Sequence, residues 1–539
     1  MTTTRFSSDF SKMALGLPLS PLLQPFLILL LTYLSYTIVT TFLSRARFRA
    51  FARQHGCVDP HDASGPFPYG LQLIRRIARS QATGEDVLDD ILLPQFQGKQ
   101  TIKKTVLDGQ TMLLTTEPAN LQAMLANQFS DFETGANRRA VFHPLLGNSI
   151  FSSDGAAWKH ARALLRPSFS RDSVNNLAFT SQSADALIAA LGEPDAATGW
   201  TPARDAQPLF LCFTMDTATE FLFGRSVGAL EAVLGGGGGE GAEAASGEFG
   251  EALRVAGDYL ITRIRLGGLY WVADGWGFRR AAGRVRRFVE GFVGRAVEKA
   301  EKGGGGGGGE FGLLEALVAQ TKDKEDLVSQ SLAVMFAGRD TTAGLLGWCL
   351  MRLALHPDVF ESLRAAVLRE IPAAEQPTFS QLKGCRPLQH FLQEVLRLHS
   401  TVPFNNRVAI RDTTLPVGGG PDQSSPVAVR KGQVVTFSVY AMHRRTDLWG
   451  EDALEFRPSR FEVRVPAWQW LPFLGGPRVC LGQQFALTEA GFLLVRLLRE
   501  FDQVQPVDEV EMKKMRKGLG LTMWPADGVK VRLHKAESQ

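Results

Sequence analysis

The chain has 539 residues, of which 45% are hydrophobic, so it is long enough to bury a large apolar core. Its 59 basic and 55 acidic residues give a net charge of +4, and this near balance argues against nucleic-acid binding, which needs a concentrated basic surface. Five widely spaced cysteines without a C-x-x-C pair argue against a disulfide framework and against a structural zinc site.

The N-terminus predicts a membrane anchor. No charged residue lies between Lys12 and Arg45, and residues 22–44 are long and apolar enough to span a bilayer as one helix. A cluster of four arginines follows directly, and by the positive-inside rule it stays in the cytosol. The cluster consists of Arg45, Arg47, Arg49 and Arg53. We therefore expect residues 1–21 to form an N-terminal tail and residues 22–44 a single transmembrane helix.

Residues 45–70 are predicted to form a linker. The segment SGPFPYG at 64–70 supports this, because its prolines and glycines interrupt any helix. The catalytic domain is then expected to fill residues 71–539. Within it, long helical patterns such as that at 326–355 are combined with short β-like pieces at 407–439. The predicted fold class is therefore mainly α with a small β-rich subdomain.

Two glycine runs interrupt the middle of the chain, Gly235–Gly239 and Gly303–Gly309. Neither is followed by the lysine and hydroxyl residue of a phosphate-binding loop, so we interpret both as flexible connections. They flank a segment at 245–302 in which basic and apolar residues alternate at helical spacing. We expect this amphipathic segment to move as a lid.

The strongest motif is FLGGPRVCLG, which fits F-x-x-G-x-R-x-C-x-G at all its fixed positions: Phe473, Gly476, Arg478, Cys480 and Gly482. The glycines allow the backbone to approach a flat macrocycle, and the arginine can neutralise a haem propionate. A helical pattern begins directly after the loop, and a helix N-terminus favours a thiolate. The motif therefore predicts Cys480 as the axial ligand of a haem iron.

A second motif, AGRDTT at 337–342, lies inside the long predicted helix. Gly338 would leave space for dioxygen between the helix and the haem. Thr341 can donate a hydrogen bond to dioxygen, and Asp340 can pass protons to it from water. We predict Asp340 and Thr341 as the catalytic pair.

A third motif, EVLR, places Glu394 and Arg397 three residues apart on one helical face, where they can form an ion pair. Downstream, the sequence FRPSRF offers Arg460 as a third member. We expect these three residues to form a structural lock behind the cysteine loop, without a chemical role.

In this order along nearly the whole chain, the motifs resemble the cytochrome P450 superfamily. The resemblance implies the cytochrome P450 fold, haem b as the cofactor, and electrons from NADPH through a separate cytochrome P450 reductase, with cytochrome b5 as a second candidate donor. It also implies further propionate contacts by Trp158 and Arg162, which fit W-x-x-x-R, by Arg407, and by His443 as an additional candidate. Some fatty-acid hydroxylases of animals bind haem covalently through a glutamate where this chain has Ala337, so the alanine implies a non-covalent haem.

Three stretches narrow the resemblance to the fungal family that hydroxylates n-alkanes and fatty acids: His55–Cys57, Thr115–Gly135 and Pro144–Phe169. This family implies insertion of one oxygen atom from O2 at or near a chain end, by an enzyme of the endoplasmic reticulum membrane whose catalytic domain faces the cytosol. Two alternatives stay open. One is the same chemistry on a fungal polyketide or terpenoid, and the other is a haem-thiolate isomerase or haem-binding protein, against which the Asp340–Thr341 pair argues.

An apolar pocket with few polar groups would suit a long, lipophilic aliphatic substrate. The candidate contacts follow the E-x-x-R helix or lie near the second motif and the C-terminus: Phe336, Ala337, Val402, Phe404 and Leu521. We expect the reductase to dock on the cysteine side, helped by the basic residues Arg478, Lys513, Lys514 and Arg516.

Overall fold

The computed structural model describes residues 23–64, 75–77, 79–80, 84–96, 98–105, 109–169, 177–235, 240–302, 312–372 and 376–537. The predicted tail, most of the segment SGPFPYG and nearly all of both glycine runs lie outside these residues. The chain divides between Cys57 and Val58 into two units.

The first unit contains one long helix, α1 (Leu23–Gln54). Among the described residues it is the one helix long and apolar enough to cross a membrane. The helix continues past residue 44, the predicted end of the transmembrane segment, because residues 45–54 contain no proline or glycine to stop it. The four arginines of the basic cluster therefore lie on the same helix as the apolar stretch. The helix ends where Gly56 adopts a φ of +62°, which favours glycine.

The second unit is mainly helical. Its helices are α2 (Pro118–Gln122), α3 (Ala136–Leu146), α4 (Gly155–Leu165), α5 (Ala178–Ala190), α6 (Ala206–Phe223), α7 (Ala229–Val233), α8 (Glu240–Leu266), α9 (Trp276–Glu301), α10 (Gly312–Val318), α11 (Lys324–Leu355), α12 (Pro357–Glu370), α13 (Phe379–Gly384), α14 (Arg386–Leu398), α15 (Val439–Met442), α16 (Thr446–Trp449), α17 (Gln483–Glu500) and α18 (Glu509–Lys513).

The strands are β1 (His61–Asp62), β2 (Thr101–Thr105), β3 (Thr111–Thr115), β4 (Phe132–Glu133), β5 (Arg204–Asp205), β6 (Phe404–Ala409), β7 (Thr413–Gly419), β8 (Ser425–Val429), β9 (Val434–Ser438), β10 (Phe501–Pro506), β11 (Lys517–Leu519), β12 (Met523–Pro525) and β13 (Lys530–Lys535). The largest sheet has the order β1-β2-β3-β9-β6-β4, and smaller sheets are β10-β13-β5, β7-β8 and β11-β12. These short sheets beside a helical body confirm the predicted fold class.

The boundary predicted at residue 71 is also displaced. Strand β1 pairs in parallel with β2, in the register His61 to Ile102 and Asp62 to Lys103. The backbone N–H of Val58 donates to the Pro426 carbonyl oxygen at 2.9 Å. Residues from Val58 onward therefore belong to the second unit, although the sequence placed them in the linker.

Helix α11 runs through the core of the second unit and covers the helix predicted at 326–355. It begins because the Asp323 side chain accepts hydrogen bonds from two N–H groups of the first turn, at 2.9 and 3.2 Å. It ends directly before Pro357, which starts the next helix. A Cβ at Gly344 would lie 2.8 Å from the Met523 carbonyl oxygen on β12, so this glycine allows the strand to approach the helix.

The segment predicted as one lid consists of two helices, α8 and α9, joined by a 3-10 turn at Gly267–Ala273. The predicted amphipathic character is correct, because apolar residues of α9 such as Val285 and Val289 are buried while the basic residues between them are half-buried or exposed. Both helices pack against α11 or α3, so they cover the middle of the second unit.

Candidate active site

The cysteine loop adopts a conformation that its glycine pattern requires. Gly476 has a φ of +69°, and a Cβ there would lie 1.9 Å from the Leu125 carbonyl oxygen, so a larger residue does not fit. The loop is closed by a hydrogen bond from the Cys480 N–H to the Phe473 carbonyl oxygen at 3.0 Å. Because α17 begins at Gln483, the cysteine lies at the N-terminal end of that helix.

The Cys480 side chain is exposed and has the surroundings of a thiolate ligand. Desolvation by the surrounding protein raises the pKa of its thiol above the ordinary value, and the Gly482 N–H and the Arg162 guanidinium oppose this shift. Arg162 is held there because its Nη1 donates to the Val479 carbonyl oxygen at 3.0 Å. An accessible sulfur beside an N–H donor and a cation suits a metal-bound thiolate.

Three arginines meet beside the cysteine loop, with one carboxylate among them. Arg478 pairs with Asp154 at 2.6 Å. Arg138 and Arg407 instead donate to the neutral Asn405 side chain, at 3.0 and 3.3 Å. Burial, followed by repulsion from neighbouring arginines, lowers the pKa of Arg407 to about 9 and that of Arg138 to about 10.

This cluster fits the two propionates of a haem. The Nε atoms of Arg138 and Arg407 are buried without a hydrogen-bond partner among the described residues. Buried donors ordinarily find acceptors, and buried cations ordinarily find anions, so the site has capacity for further carboxylates. Sequence reasoning found Arg407 and Arg478 but missed Arg138. Arg138 is half-buried on α3, while its neighbour Arg139 is exposed. The two arginines differ in the face of the helix that they occupy, and no motif in the sequence marks that face.

The W-x-x-x-R element lies between the cluster and the cysteine loop. The Arg478 guanidinium lies 4.4 Å from the centre of the buried Trp158 ring, and the Arg162 guanidinium lies 5.8 Å from it. Trp158 therefore fixes Arg478 by a cation–π contact. Arg162 contacts the backbone next to Cys480, so the structure places it nearer to the sulfur than its predicted role as a propionate contact suggested.

On α11 the two residues of the predicted catalytic pair are half-buried. The Thr341 Oγ1 donates to the Ala337 carbonyl oxygen at 2.6 Å. Asp340 pairs with Arg339 at 3.1 Å, and burial raises its pKa while Arg339 opposes the shift. A Cβ at Gly338 would lie 3.9 Å from Ala218 on α6, which is an ordinary contact distance, so the role of this glycine beside dioxygen stays a prediction.

The structure brings the three lock residues together. Arg397 donates from Nε and Nη2 to the two carboxylate oxygens of Glu394, at 2.7 and 2.8 Å, and both side chains are fully buried. Its Nη1 donates to the carbonyl oxygens of His443 and Ala453, at 2.7 and 2.6 Å. Arg460 completes the group, with its Nε 3.7 Å from Glu394. The lock thus ties α14 to two loops.

His443 belongs to this lock, and the prediction that it contacts a propionate is wrong. Its Nδ1 lies 3.2 Å from the Arg397 carbonyl oxygen and 3.1 Å from Ser400 Oγ, and its Nε2 accepts from the Leu471 N–H at 3.0 Å. Burial, followed by the charge of Arg397, lowers the pKa of His443 to about 3. The ring is therefore neutral, and both of its nitrogens already have partners.

The candidate substrate residues lie on elements that surround one side of α11. Phe336 and Leu521 both pack against the core formed by α8, α9 and their neighbours. The Met523 N–H donates to the Thr401 carbonyl oxygen at 2.8 Å, so the β11–β12 hairpin lies next to Val402. Ala337, Val402 and Phe404 are half-buried.

Three of the basic residues predicted to help dock the reductase form ion pairs with nearby carboxylates. Lys513 pairs with Glu509 at 2.5 Å, and Arg516 pairs with Asp527 at 2.8 Å. Lys514 forms an ion pair with Glu511. Their segment leads into the β11–β12 hairpin, and α18 packs against α11. Docking at these residues stays a prediction.

Comparison with known proteins agrees with this geometry. The family model described as "Cytochrome P450" matches residues 95–235 and 286–531. The chain is 38% identical over 509 residues to cytochrome P450 monooxygenase g430 of Fusarium sp, covering 93% of this chain and 89% of the relative. It is 42% identical over 434 residues to cytochrome P450 52A5 of Candida maltosa, covering 78% and 81%. A crystal structure of the cytochrome P450DA heme domain superposes with a TM-score of 0.70 at 22% identity, over 89% of this chain and 99% of that one.

Proposed function

Because the chain belongs to the cytochrome P450 family, we propose that this monooxygenase inserts one oxygen atom from O2 into a terminal or near-terminal C–H bond of an n-alkane or fatty acid. The family implies a haem-thiolate cofactor, a redox partner and a lipophilic substrate. The observation that carries the chemistry is the Cys480 loop itself, which places the sulfur at the start of α17 with the Arg162 guanidinium beside it. Helix α17 packs against α11, the helix that carries Asp340 and Thr341. The substrate class is supported by the resemblance to the fungal alkane-hydroxylating family.

When bound, haem b supplies the activation of dioxygen, and this chain supplies the groups that hold the haem and deliver protons. Cys480 is the proposed iron ligand, while Arg138, Arg407 and Arg478 would neutralise the propionates. Ala337 has no carboxyl group, so the proposed attachment is non-covalent.

Asp340 and Thr341 are the proposed route for protons. The raised pKa of Asp340 makes its carboxyl better able to carry a proton near neutral pH. The hydroxyl of Thr341 now donates to its own helix, so it can turn to donate elsewhere when a better acceptor lies beside it. This exchange would bring protons to dioxygen without admitting bulk water.

The electron donor is proposed to be NADPH–cytochrome P450 reductase, with cytochrome b5 as an alternative donor. The basic residues Lys159, within α4, and Arg166, directly after it, are exposed, and α4 carries Arg162 to the backbone beside Cys480. We propose that they contribute to the docking surface on the cysteine side. With α1 as anchor, we place the enzyme in the endoplasmic reticulum membrane with its catalytic domain in the cytosol.

The substrate proposal is tested by titrating oxidised membranes with dodecane and with lauric acid, followed by turnover with NADPH and product analysis. A low-to-high-spin shift and an alcohol at or near the chain end would support it. A thiolate-type carbon monoxide band without either result would reject the aliphatic substrate and favour a polyketide or terpenoid.

The proton route is tested with Thr341→Ala. We expect the variant to consume NADPH but to release about tenfold more peroxide for each product molecule, because protons no longer reach dioxygen in order. Thr342→Ala is the matched control for loss of a hydroxyl on the same turn. Unchanged coupling in Thr341→Ala would contradict the route.

A further inference from the structure

One arginine outside the haem site is fully buried and joins three separate elements. Arg263 lies in the last turn of α8 and has 0% of its surface exposed. Its Nε donates to the Val141 carbonyl oxygen at 3.1 Å, and its Nη2 donates to the Ala140 carbonyl oxygen at 2.7 Å. Both acceptors lie on α3, so this side chain fastens the end of α8 to α3.

The sequence of α3 explains why it offers an acceptor. Pro144 lies inside the helix and has no N–H, so the Ala140 carbonyl oxygen four residues earlier lacks its ordinary helical donor. A buried carbonyl without a donor is unfavourable. The Arg263 guanidinium supplies the missing hydrogen bond, which makes the contact specific to this pair of helices.

The other side of Arg263 holds the turn between α8 and α9. Its Nη1 forms an ion pair with Asp274, which directly follows the 3-10 turn. The guanidinium also lies 4.9 Å from the ring centre of Tyr270 and 5.0 Å from that of Phe278. These are cation–π contacts, which gain strength when they are shielded from water.

The elements joined in this way also reach the proposed substrate pocket. A Cβ at Gly520, in the tip of the β11–β12 hairpin, would lie 2.7 Å from Ile261 on α8. Arg265 of α8 donates to the Leu519 carbonyl oxygen at 2.8 Å. The end of α8 therefore closes against the hairpin that carries Leu521. On the other side, α3 carries Arg138 of the arginine cluster.

We propose that Arg263 is a positioning residue that holds the cover of the substrate pocket closed, by fastening the α8–α9 turn to α3 beside the β11–β12 hairpin. The proposal depends on the proposed function in one respect, namely that the pocket beside the haem binds a lipophilic ligand. When this contact opens, the end of α8 and the α8–α9 turn can move together. Their movement opens a route for the ligand past the tip of the β11–β12 hairpin.

The holoenzyme would be compared with Arg263→Met, Asp274→Asn and a control, Arg254→Met. Arg254 lies on the same helix, but its ion pairs with Glu251 and Asp258 are exposed. The probe is an imidazole carrying a dodecyl chain, which binds haem iron whether or not dodecane is a substrate. We expect its association and dissociation rates to rise about tenfold in Arg263→Met and about threefold in Asp274→Asn, with no change in the control.

Hydrogen–deuterium exchange gives a readout that is independent of ligand binding. Amides of Gly267–Ala273 should exchange about tenfold faster in Arg263→Met, because the turn loses its fastening. Variants with an intact carbon monoxide band but unchanged probe rates and unchanged exchange would overturn the proposal. Failure of dodecane and lauric acid to react, with probe rates that still respond, would reject the substrate class and leave this inference standing.

A second variant protects the test against misfolding. In Pro144→Ala combined with Arg263→Met, the new N–H can satisfy the Ala140 carbonyl oxygen within α3, so thermal stability should partly recover. The link between the helices is still missing, so fast probe binding should persist. Recovery of slow probe binding together with stability would overturn the proposal, because it would assign Arg263 a purely structural role.

Discussion

Two buried arginines, Arg397 in the lock and Arg263 beneath the α8–α9 turn, use the same chemistry with different consequences. Each donates to backbone carbonyl oxygens of other elements and pairs with one carboxylate. They differ in that carboxylate. The side chain of Glu394 is 0% exposed, whereas that of Asp274 is 28% exposed.

The accessibility of the carboxylate decides whether such a contact can open. Separating Arg397 from Glu394 would leave two charges in the core without water, which is strongly unfavourable. Asp274 can be hydrated when it leaves Arg263, so the same separation is easier there. The lock is therefore expected to stay closed throughout the catalytic cycle, while the contact at the pocket cover can open.

The largest expected effect is at the lock. Arg397→Met should lower the free energy of unfolding by roughly 3–5 kcal/mol, because it leaves Glu394 buried and unpaired. The loop before Cys480 should then lose its support, and the thiolate-type carbon monoxide band should disappear. Thermal unfolding and the reduced carbon monoxide spectrum measure both effects.

The control is Arg457→Met, since the Arg457 side chain is 53% exposed and its pair with Asp452 should contribute little. If Arg397→Met kept the band and the stability of the parent protein, the contrast between a closed lock and an opening contact would be wrong.

The sequence revealed the lock but not the contact beneath the turn, and the reason is the distance between partners along the chain. Glu394 and Arg397 are three residues apart on one helix, so their pairing is visible as a motif. Arg263 acquires its acceptors from α3, and only the packing of two helices shows that Pro144 leaves a carbonyl oxygen available. Arg138 was missed for a similar reason, because helix phase alone separates it from Arg139.

The wrong prediction for His443 also depends on contacts between residues that are far apart in the sequence. His443 lies in a stretch that fits a haem-contacting residue, but its ring nitrogens bind Arg397, Ser400 and the backbone of Leu471, which no motif encodes. The helix of the anchor also continues through the arginines at which the predicted transmembrane segment ends. Charge sets how a helix sits at a membrane surface, whereas proline and glycine decide where it stops.

A third buried ionisable side chain extends the comparison, because its hydrogen-bond partners among the described residues are hydroxyl groups and not arginines. Glu489 of α17 has Thr217 of α6 and Thr342 of α11 as hydrogen-bond partners. The Thr217 hydroxyl donates to the Glu489 carboxyl, and the hydrogen bonds of Thr217 and Thr342 oppose the rise in its pKa that burial causes. Burial raises the pKa of Glu489 to about 8, which keeps the group neutral.

This predicts a pH dependence of stability. The unfolded chain releases the Glu489 proton near its ordinary pKa of 4.5, while the folded chain keeps it up to about 8. The unfolded state therefore binds fewer protons in that window, and the free energy of unfolding should fall by roughly 2 kcal/mol from about pH 6 to pH 8. Glu489→Gln, which stays neutral and can still donate, should flatten this slope in thermal unfolding. A slope identical to that of the parent would show that Glu489 is ionised in the folded protein.

The arginine cluster beside the cysteine loop extends the comparison to cations whose remaining partners would be the propionates of a bound haem. Arg138→Met should speed haem transfer to apomyoglobin about tenfold, because one cation facing a propionate is lost. Arg139→Met is the matched control, since Arg139 is exposed on the same helix. Equal transfer rates in the two variants would remove Arg138 from the haem site.

The smallest expected effect is at the edge of the lock. Arg460 lies 3.7 Å from Glu394 and donates mainly to the carbonyl oxygens of Trp449 and Asp452, at 2.7 and 2.9 Å. Arg460→Met should therefore lower the free energy of unfolding by about 1 kcal/mol while the carbon monoxide band survives, since Arg397 still neutralises Glu394. Denaturant unfolding of the two variants gives the comparison directly. A loss as large as that of Arg397→Met would mean that Glu394 needs both arginines, and that the lock is a triad in which neither cation is peripheral.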